Sequence, residues 1–207
     1  GLGVAPAPAD DPAEVAALRD ELLVDGDRLV VTVARLLKQK GIDVLVDVVA
    51  RLQDSHPGYR FAVVGDGPER NAYEALARAK GVDRILRFVG RSERPHLYLR
   101  AADLFLLTSR WEALPFTIVE AFQTGTPAVA TACSGVVELI DDQVGATPPV
   151  GDVPAIAAAV ARILDDGPLR HSMAAAALAR SVEDRFRPDW VHARFEETYR
   201  ALARRKG

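Results

Sequence analysis

Residues 28–34, Arg-Leu-Val-Val-Thr-Val-Ala, form a short, β-branched apolar run, preceded by the turn-forming Asp25-Gly26-Asp27 and followed by a cationic stretch. Apolar on nearly every position, such a run reads as a strand covered on both faces. The period then changes: from about Asp43 to Gln53 apolar residues recur at 45, 48, 49 and 52, one face of a helix. The same unit repeats downstream, with strands at 60–64, 86–89, 104–107 and 128–131 and helices at about 68–80, 94–101 and 116–124. Five strands alternating with helices favour right-handed parallel crossovers with helices on both sheet faces, a single Rossmann-like, doubly wound α/β sheet. Upstream, 12–23 has helical spacing. From Asp152 onward the pattern is helical only, over about 153–164, 168–183 and 189–204, punctuated by Gly167-Pro168 and Arg187-Pro188.

Composition agrees with a packed domain. In 207 residues, 49% are hydrophobic and 27% charged, shares that exclude collagen-like, coiled-coil and wholly disordered chains. Lys plus Arg is 26 against Asp plus Glu 29, so the net charge of −3 gives no general attraction to nucleic acid or anionic lipid. The one Cys cannot form an internal disulfide, which fits a reducing compartment. No apolar run reaches the length of a spanning helix. The first eight residues, Gly-Leu-Gly-Val-Ala-Pro-Ala-Pro, lack the charged start and apolar centre of a secretory signal and read as a linker, so the chain is expected to be a piece of something longer.

In a doubly wound sheet, ligands lie beyond the carboxyl ends of the strands. The densest candidate there is Ser109-Arg-Trp-Glu112-Ala-Leu-Pro-Phe-Thr-Ile-Val-Glu120, with Glu112 in a loop and Glu120 on the helix that follows. Pro115 suits a first-turn position and leaves backbone N–H groups aimed at an anion, while each carboxylate can accept two hydroxyl hydrogen bonds. Together they suit a sugar nucleotide; a helix with acids near its positive end is the plain structural alternative. After the first strand, Arg35, Lys38 and Lys40 fall within six residues, enough charge to balance a diphosphate, although basic loops are usually just solvated. Lys38 is the expected solvent-facing member. After the second strand, Gly65-Asp66-Gly67-Pro68 permits a sharp turn whose backbone approaches a ligand, or simply a turn; it lacks the third Gly of a dinucleotide fingerprint.

In this order the segments resemble the carboxyl-terminal, donor-binding domain of retaining GT-B glycosyltransferases, the glycosyltransferase family 4 or group 1 type. The likeness runs from about residue 28 to 200. It is carried by Arg35, Lys40 and Gly41, by the Gly-Asp-Gly-Pro turn, by Arg84-Ile-Leu-Arg-Phe-Val-Gly90, by Ala102-Asp103-Leu-Phe-Leu-Leu-Thr-Ser-Arg110, by the Glu112/Glu120 pair and by Gly125-Thr-Pro-Ala-Val-Ala-Thr131. Arg185-Phe-Arg-Pro-Asp-Trp190 through Tyr199 is similar to the family's closing helix. The resemblance implies a division into a linker and leading helix (1–27), a nucleotide-sugar-binding domain (28–184) and a closing helix (185–207).

It further implies that Arg35 and Lys40 bind the donor diphosphate, Glu112 the hydroxyls of the transferred sugar and Glu120 the ribose. The backbone of Leu114, Pro115 and Phe116 would cover sugar and phosphate, Gly65 and Gly67 would contribute backbone, and the base would rest near Gly90 and Arg91. Of 114–116 only Leu114 and Phe116 can donate an N–H. Transfer of a hexosyl group from a UDP-, GDP- or ADP-sugar would need no metal and no enzymic nucleophile. The acceptor would belong to an amino-terminal domain absent from this chain, leaving the isolated domain inactive. Ala34 and Ala113 stand where the family usually has Gly. A stand-alone nucleotide-sugar-binding module is the alternative, and GT-B epimerisation or phosphorolysis a third reading. The expected location is cytoplasmic; the tail Ala-Arg-Arg-Lys-Gly at 203–207 suggests the inner face of the membrane, but three cations are too few to claim it.

Several features read as incidental. Asp25-Gly26-Asp27 has an Asp-x-Asp metal spelling but precedes the first strand, at the wrong end of the sheet. His56, His96, His171 and His192 have no zinc-ligand spacing. Cys133 has no identifiable base and reads as a buried thiol, and neither Ser109 nor Ser134 has hydrolase-elbow surroundings.

Overall fold

The computed structural model describes residues 3–24, 27–186, 188–190, 192–193 and 195–197. The apolar runs pair as strands β1 (Arg28–Val33), β2 (Tyr59–Val64), β3 (Leu86–Gly90), β4 (Leu104–Leu107), β5 (Ala128–Ala130) and β6 (Gly145–Ala146) in one parallel sheet of order β3-β2-β1-β4-β5-β6. Six strands stand where the sequence pattern predicts five. β6 is only Gly-Ala, with no β-branched run to announce it, and its place follows from pairing beside Ala128 and Val129.

The connecting helices are α1 (Pro12–Leu22), α2 (Ile42–Leu52), α3 (Arg70–Ala79), α4 (Pro95–Ala101), α5 (Phe116–Gln123), α6 (Val153–Asp165) and α7 (Gly167–Ser181). Aspartates start three of them: Asp11, Asp152 and Asp166 accept from the N–H groups of Ala13, Ala155 and Leu169, each at 2.9 Å, satisfying donors that a first turn leaves free. Residues 188–190, 192–193 and 195–197 are helical. The rest of the expected closing helix, Asp25 and Gly26, Arg187 and the basic tail lie outside the described residues.

Alternate strand residues feed two cores, as period-2 geometry requires. Leu29, Val31, Phe105 and Leu107 face Leu18, Leu99, Ile118, Phe122 and Ala177 of α1, α4, α5 and α7. Val30, Leu104 and Leu106 face Leu45, Val49, Tyr73, Ala77, Ile156 and Val160 of α2, α3 and α6. The leading helix is part of this body: Leu18 is buried, Arg19 pairs with Asp103 at 3.2 Å, and Asp103 also accepts from the Leu29 N–H at 2.9 Å. Ahead of α1, Asp10 is enclosed by Arg94, His96 and Arg100, at 3.0, 3.2 and 3.1 Å. Among the described residues no helix is long and apolar enough to cross a membrane.

The chain winds outward from β1 to β2 and β3, then returns to place β4 on the other side of β1. The loops after β1 and β4 therefore leave the sheet in opposite directions and open a crevice between them, the place where such sheets hold ligands.

Candidate active site

Both loops at that crevice carry the residues singled out from sequence. After β1 the chain makes a short 3-10 turn, Lys38–Lys40, then enters α2. After β4 it runs through Thr108 to Pro115 before α5. Lys40 Nζ meets Glu112 Oε1 at 2.6 Å, and the buried Ser109 hydroxyl donates to the same oxygen at 2.5 Å. Glu112 is only 7% exposed, so its charge is held by one ammonium and one hydroxyl. Its other oxygen, Oε2, accepts from none of the described residues.

The two loops are sewn together over 67 to 72 residues of sequence. The Arg110 N–H donates to the Gln39 carbonyl at 2.8 Å, Gln39 Nε2 donates to the Trp111 carbonyl at 2.9 Å, and the Thr108 hydroxyl donates to the Gly41 carbonyl at 2.9 Å. Arg110 forms a two-pronged pair with Asp43, at 2.9 and 2.5 Å, and donates to the Lys38 carbonyl at 2.8 Å. That hydrogen-bonded guanidinium holds the Asp43 carboxyl below the usual carboxylate range. From the loop after β5, the Thr131 hydroxyl and Cys133 Sγ donate to the Ser109 carbonyl at 2.5 and 3.2 Å, and Gly135 lies against the Ala113 carbonyl. Cys133 is thus a buried thiol bracing the loop, and Ser109, Arg110 and Asp43 are site-supporting residues that sequence reasoning did not assign.

The remaining candidates take different positions. Arg35 and Lys38 are exposed, and the Arg35 guanidinium has no partner among the described residues. Gly65 sits at φ +141°, where an added Cβ would lie 2.0 Å from the Ala34 carbonyl oxygen; at Gly67 it would lie 2.4 Å from that of Leu36. Bare backbone is therefore obligatory where the β1 and β2 loops touch. The Gly65 N–H donates to the Gly90 carbonyl at 2.8 Å, bringing the β3 end into the same row, whereas Arg91 is exposed and 3.4 Å from Glu93. Ala34, one of the Gly replacements, is buried at 8% exposure; Ala113 is exposed.

Two local expectations need correction at α5. Pro115 is the residue before the helix, not its first residue, because the chain turns at φ −80°, ψ 83° and helical geometry begins at Phe116. The Phe116 N–H is not free either; it donates to the Leu114 carbonyl at 3.0 Å. Pro115 is buried, while Trp111, Leu114 and Phe116 form an exposed apolar rim. Glu120, on α5, is half-buried with no hydrogen-bond or ion-pair partner among the described residues. Burial pushes its carboxyl up, partly offset by the field of His96. Among the described residues the arrangement thus offers a paired carboxylate with a spare oxygen and its ammonium at the parallel-sheet crevice, an unpaired carboxylate on α5, and an exposed guanidinium without a partner on the β1 loop. Among the described residues no group of three or more His, Cys, Asp or Glu could hold a metal ion.

Comparison with known proteins bears on what that chemistry serves. The family described as "Glycosyl transferases group 1" matches residues 16–180. The chain is 35% identical over 170 residues to alpha-D-kanosaminyltransferase of Streptomyces kanamyceticus, covering 80% of this chain and 44% of that protein. It is 33% identical over 147 residues to the lipopolysaccharide core biosynthesis glycosyltransferase LpsE of Rhizobium meliloti, covering 70% and 42%. It thus spans less than half the length of these relatives. Among solved structures, Anabaena Alr3699/HepE in complex with UDP-glucose superposes with a TM-score of 0.83 at 26% identity, over 93% of this chain and 54% of that one.

Proposed function

This chain belongs to the glycosyl transferases of group 1, and from that premise we propose that it is the donor-binding, carboxyl-terminal half of a retaining GT-B glycosyltransferase of family 4. It binds a nucleotide diphosphate sugar, and an amino-terminal domain outside this sequence supplies the acceptor. The observation that carries the reading is the Lys40–Glu112 pair at the β1/β4 crevice, with Arg35 on the same loop and Glu120 on the helix that follows.

As the bond from the sugar anomeric carbon to the diphosphate lengthens, negative charge grows on the leaving phosphate. Arg35 and Lys40 stabilise it, without a metal and without an enzymic nucleophile, the acceptor attacking from the leaving-group face. Glu112, through its spare oxygen, accepts hydroxyls of the hexosyl group, and Glu120 accepts those of the ribose. The backbone of Leu114, Pro115 and Phe116 covers sugar and phosphate, that of Gly65 and Gly67 lines the turn beside them, and the base lies by Gly90 and Arg91. The intact enzyme works in the cytoplasm, at the inner membrane face if its acceptor is a lipid. The division into linker with leading helix (1–27), donor domain (28–184) and closing helix (185–207) belongs to the same reading.

The test is calorimetry of the 207-residue chain with UDP, GDP and ADP, paired with turnover of the full-length parent. Arg35→Ala is the decisive variant. Exposed and without a partner among the described residues, Arg35 contributes within about 0.5 kcal/mol to stability, yet its loss should cut turnover roughly tenfold or more, about 1.4 kcal/mol. Unchanged turnover at saturating donor refutes its role, and nucleotide binding with no transfer by the parent points to a binding module instead.

A further inference from the structure

We propose that Arg110 is a positioning residue for the donor diphosphate, acting through its clamp on Asp43 and the Lys38 carbonyl to aim Lys40 into the crevice. The inference rests on the donor-site reading above. Its ground is where the contacts fall. Arg110 holds residues 38 and 43 by its side chain and residue 39 by its backbone N–H, so both flanks of Lys40 are tied to the loop that carries Glu112. Gln39 returns the tie to Trp111, next to Glu112. A Lys side chain has four rotatable bonds and a compact charge. The position of its ammonium therefore depends on where the backbone beneath it stands.

The alternative role, direct contact between Arg110 and the diphosphate, is disfavoured by the same geometry. Both terminal nitrogens of the guanidinium are engaged, one by Asp43 and the Lys38 carbonyl and the other by Asp43, whereas Lys40 spends one of its three donors on Glu112. Lys would not replace it, because a point charge cannot span both carboxylate oxygens and the carbonyl at once.

Two variants separate the roles by sign. Asp43→Asn removes a negative charge from the neighbourhood of a bound anion; if Arg110 touched the diphosphate, this would free it and tighten UDP binding. If Arg110 acts as a clamp, Asp43→Asn and Arg110→Gln both weaken binding of whichever of UDP, GDP and ADP the 207-residue chain binds, by at least about fivefold. In a Lys40→Met background the further effect of Arg110→Gln should shrink below about twofold, because the residue it aims is gone, while its effect on melting temperature persists. Where Lys40→Met does not fold, Lys40→Met/Glu112→Gln serves as the background. Should Arg110→Gln fail to fold, Asp43→Asn carries the test. Binding of that nucleotide to Asp43→Asn as tight as to the parent, or an undiminished Arg110→Gln loss without Lys40, overturns the inference alone. A parent chain that binds none of UDP, GDP and ADP overturns the donor-site reading and this inference with it.

Discussion

Replacing Lys40 by Met should destabilise the protein before any ligand is considered. The ammonium lies 2.6 Å from Glu112, whose side chain is 5% exposed against 20% for Lys40. Removing the cation strands a buried carboxylate with a single hydroxyl donor, Ser109 at 2.5 Å. Breaking a fully buried pair from one side typically costs 3–5 kcal/mol; the surviving hydroxyl and the partial exposure of Lys40 bring the expected loss to about 2–3 kcal/mol. For a domain of this size that is a melting-temperature drop of roughly 4–12 °C. Glu112→Gln should cost less, because the lone ammonium can reach water. The double variant Lys40→Met/Glu112→Gln should regain most of the stability, since the Gln oxygen keeps the Ser109 bond and no charge remains buried. Thermal and urea melts of the three variants decide it. A Lys40→Met melt within about 1 °C of the parent, or a double variant less stable than Lys40→Met, would refute the reasoning.

Glu120→Gln should separate stability from binding. A carboxyl raised by burial favours the protonated folded form, so its contribution is fully present below the unfolded pKa and is lost as pH rises through the folded one. At neutral pH the neutral Gln variant should therefore melt no lower than the parent, with any advantage vanishing as pH falls and Glu120 protonates; melts that show the advantage growing in acid would contradict this. The same variant should weaken UDP binding by roughly 1–3 kcal/mol, and equal affinity in calorimetry would place the ribose elsewhere. Gly65→Ala meets the Ala34 carbonyl at 2.0 Å with φ at +141° and should lose at least about 2 kcal/mol; an unaltered urea midpoint would show that the β1–β2 loop contact gives way easily.

The fold was legible because each buried strand except β6 carries its own apolar run and α2, α3 and α6 each carry a stripe; β6 is two small residues whose strand character exists only through pairing with β5. At the site, Lys40, Glu112 and Glu120 were recognisable as residue types at the carboxyl ends of strands, and the fold brings the first two into contact. The Arg110–Asp43 clamp was not legible: an Arg and an Asp 67 positions apart are indistinguishable from surface charges until β4 lies beside β1. Asp10 escaped notice for a similar reason. In a Pro-rich leader it resembles a solvated acid, and only the folded α4 assembles Arg94, His96 and Arg100 around it.

Because Lys40 and Glu112 meet across 72 positions, the pair exists only where β4 lies beside β1, on the flank opposite β2 and β3. Long-range closures of this kind cost loop entropy before their contacts reward it, and are intrinsically slow. A fragment that stops before β4 would present the cationic loop with nothing opposite it. With the proposed donor site, affinity for a nucleotide would therefore register the return crossing rather than the amount of secondary structure present.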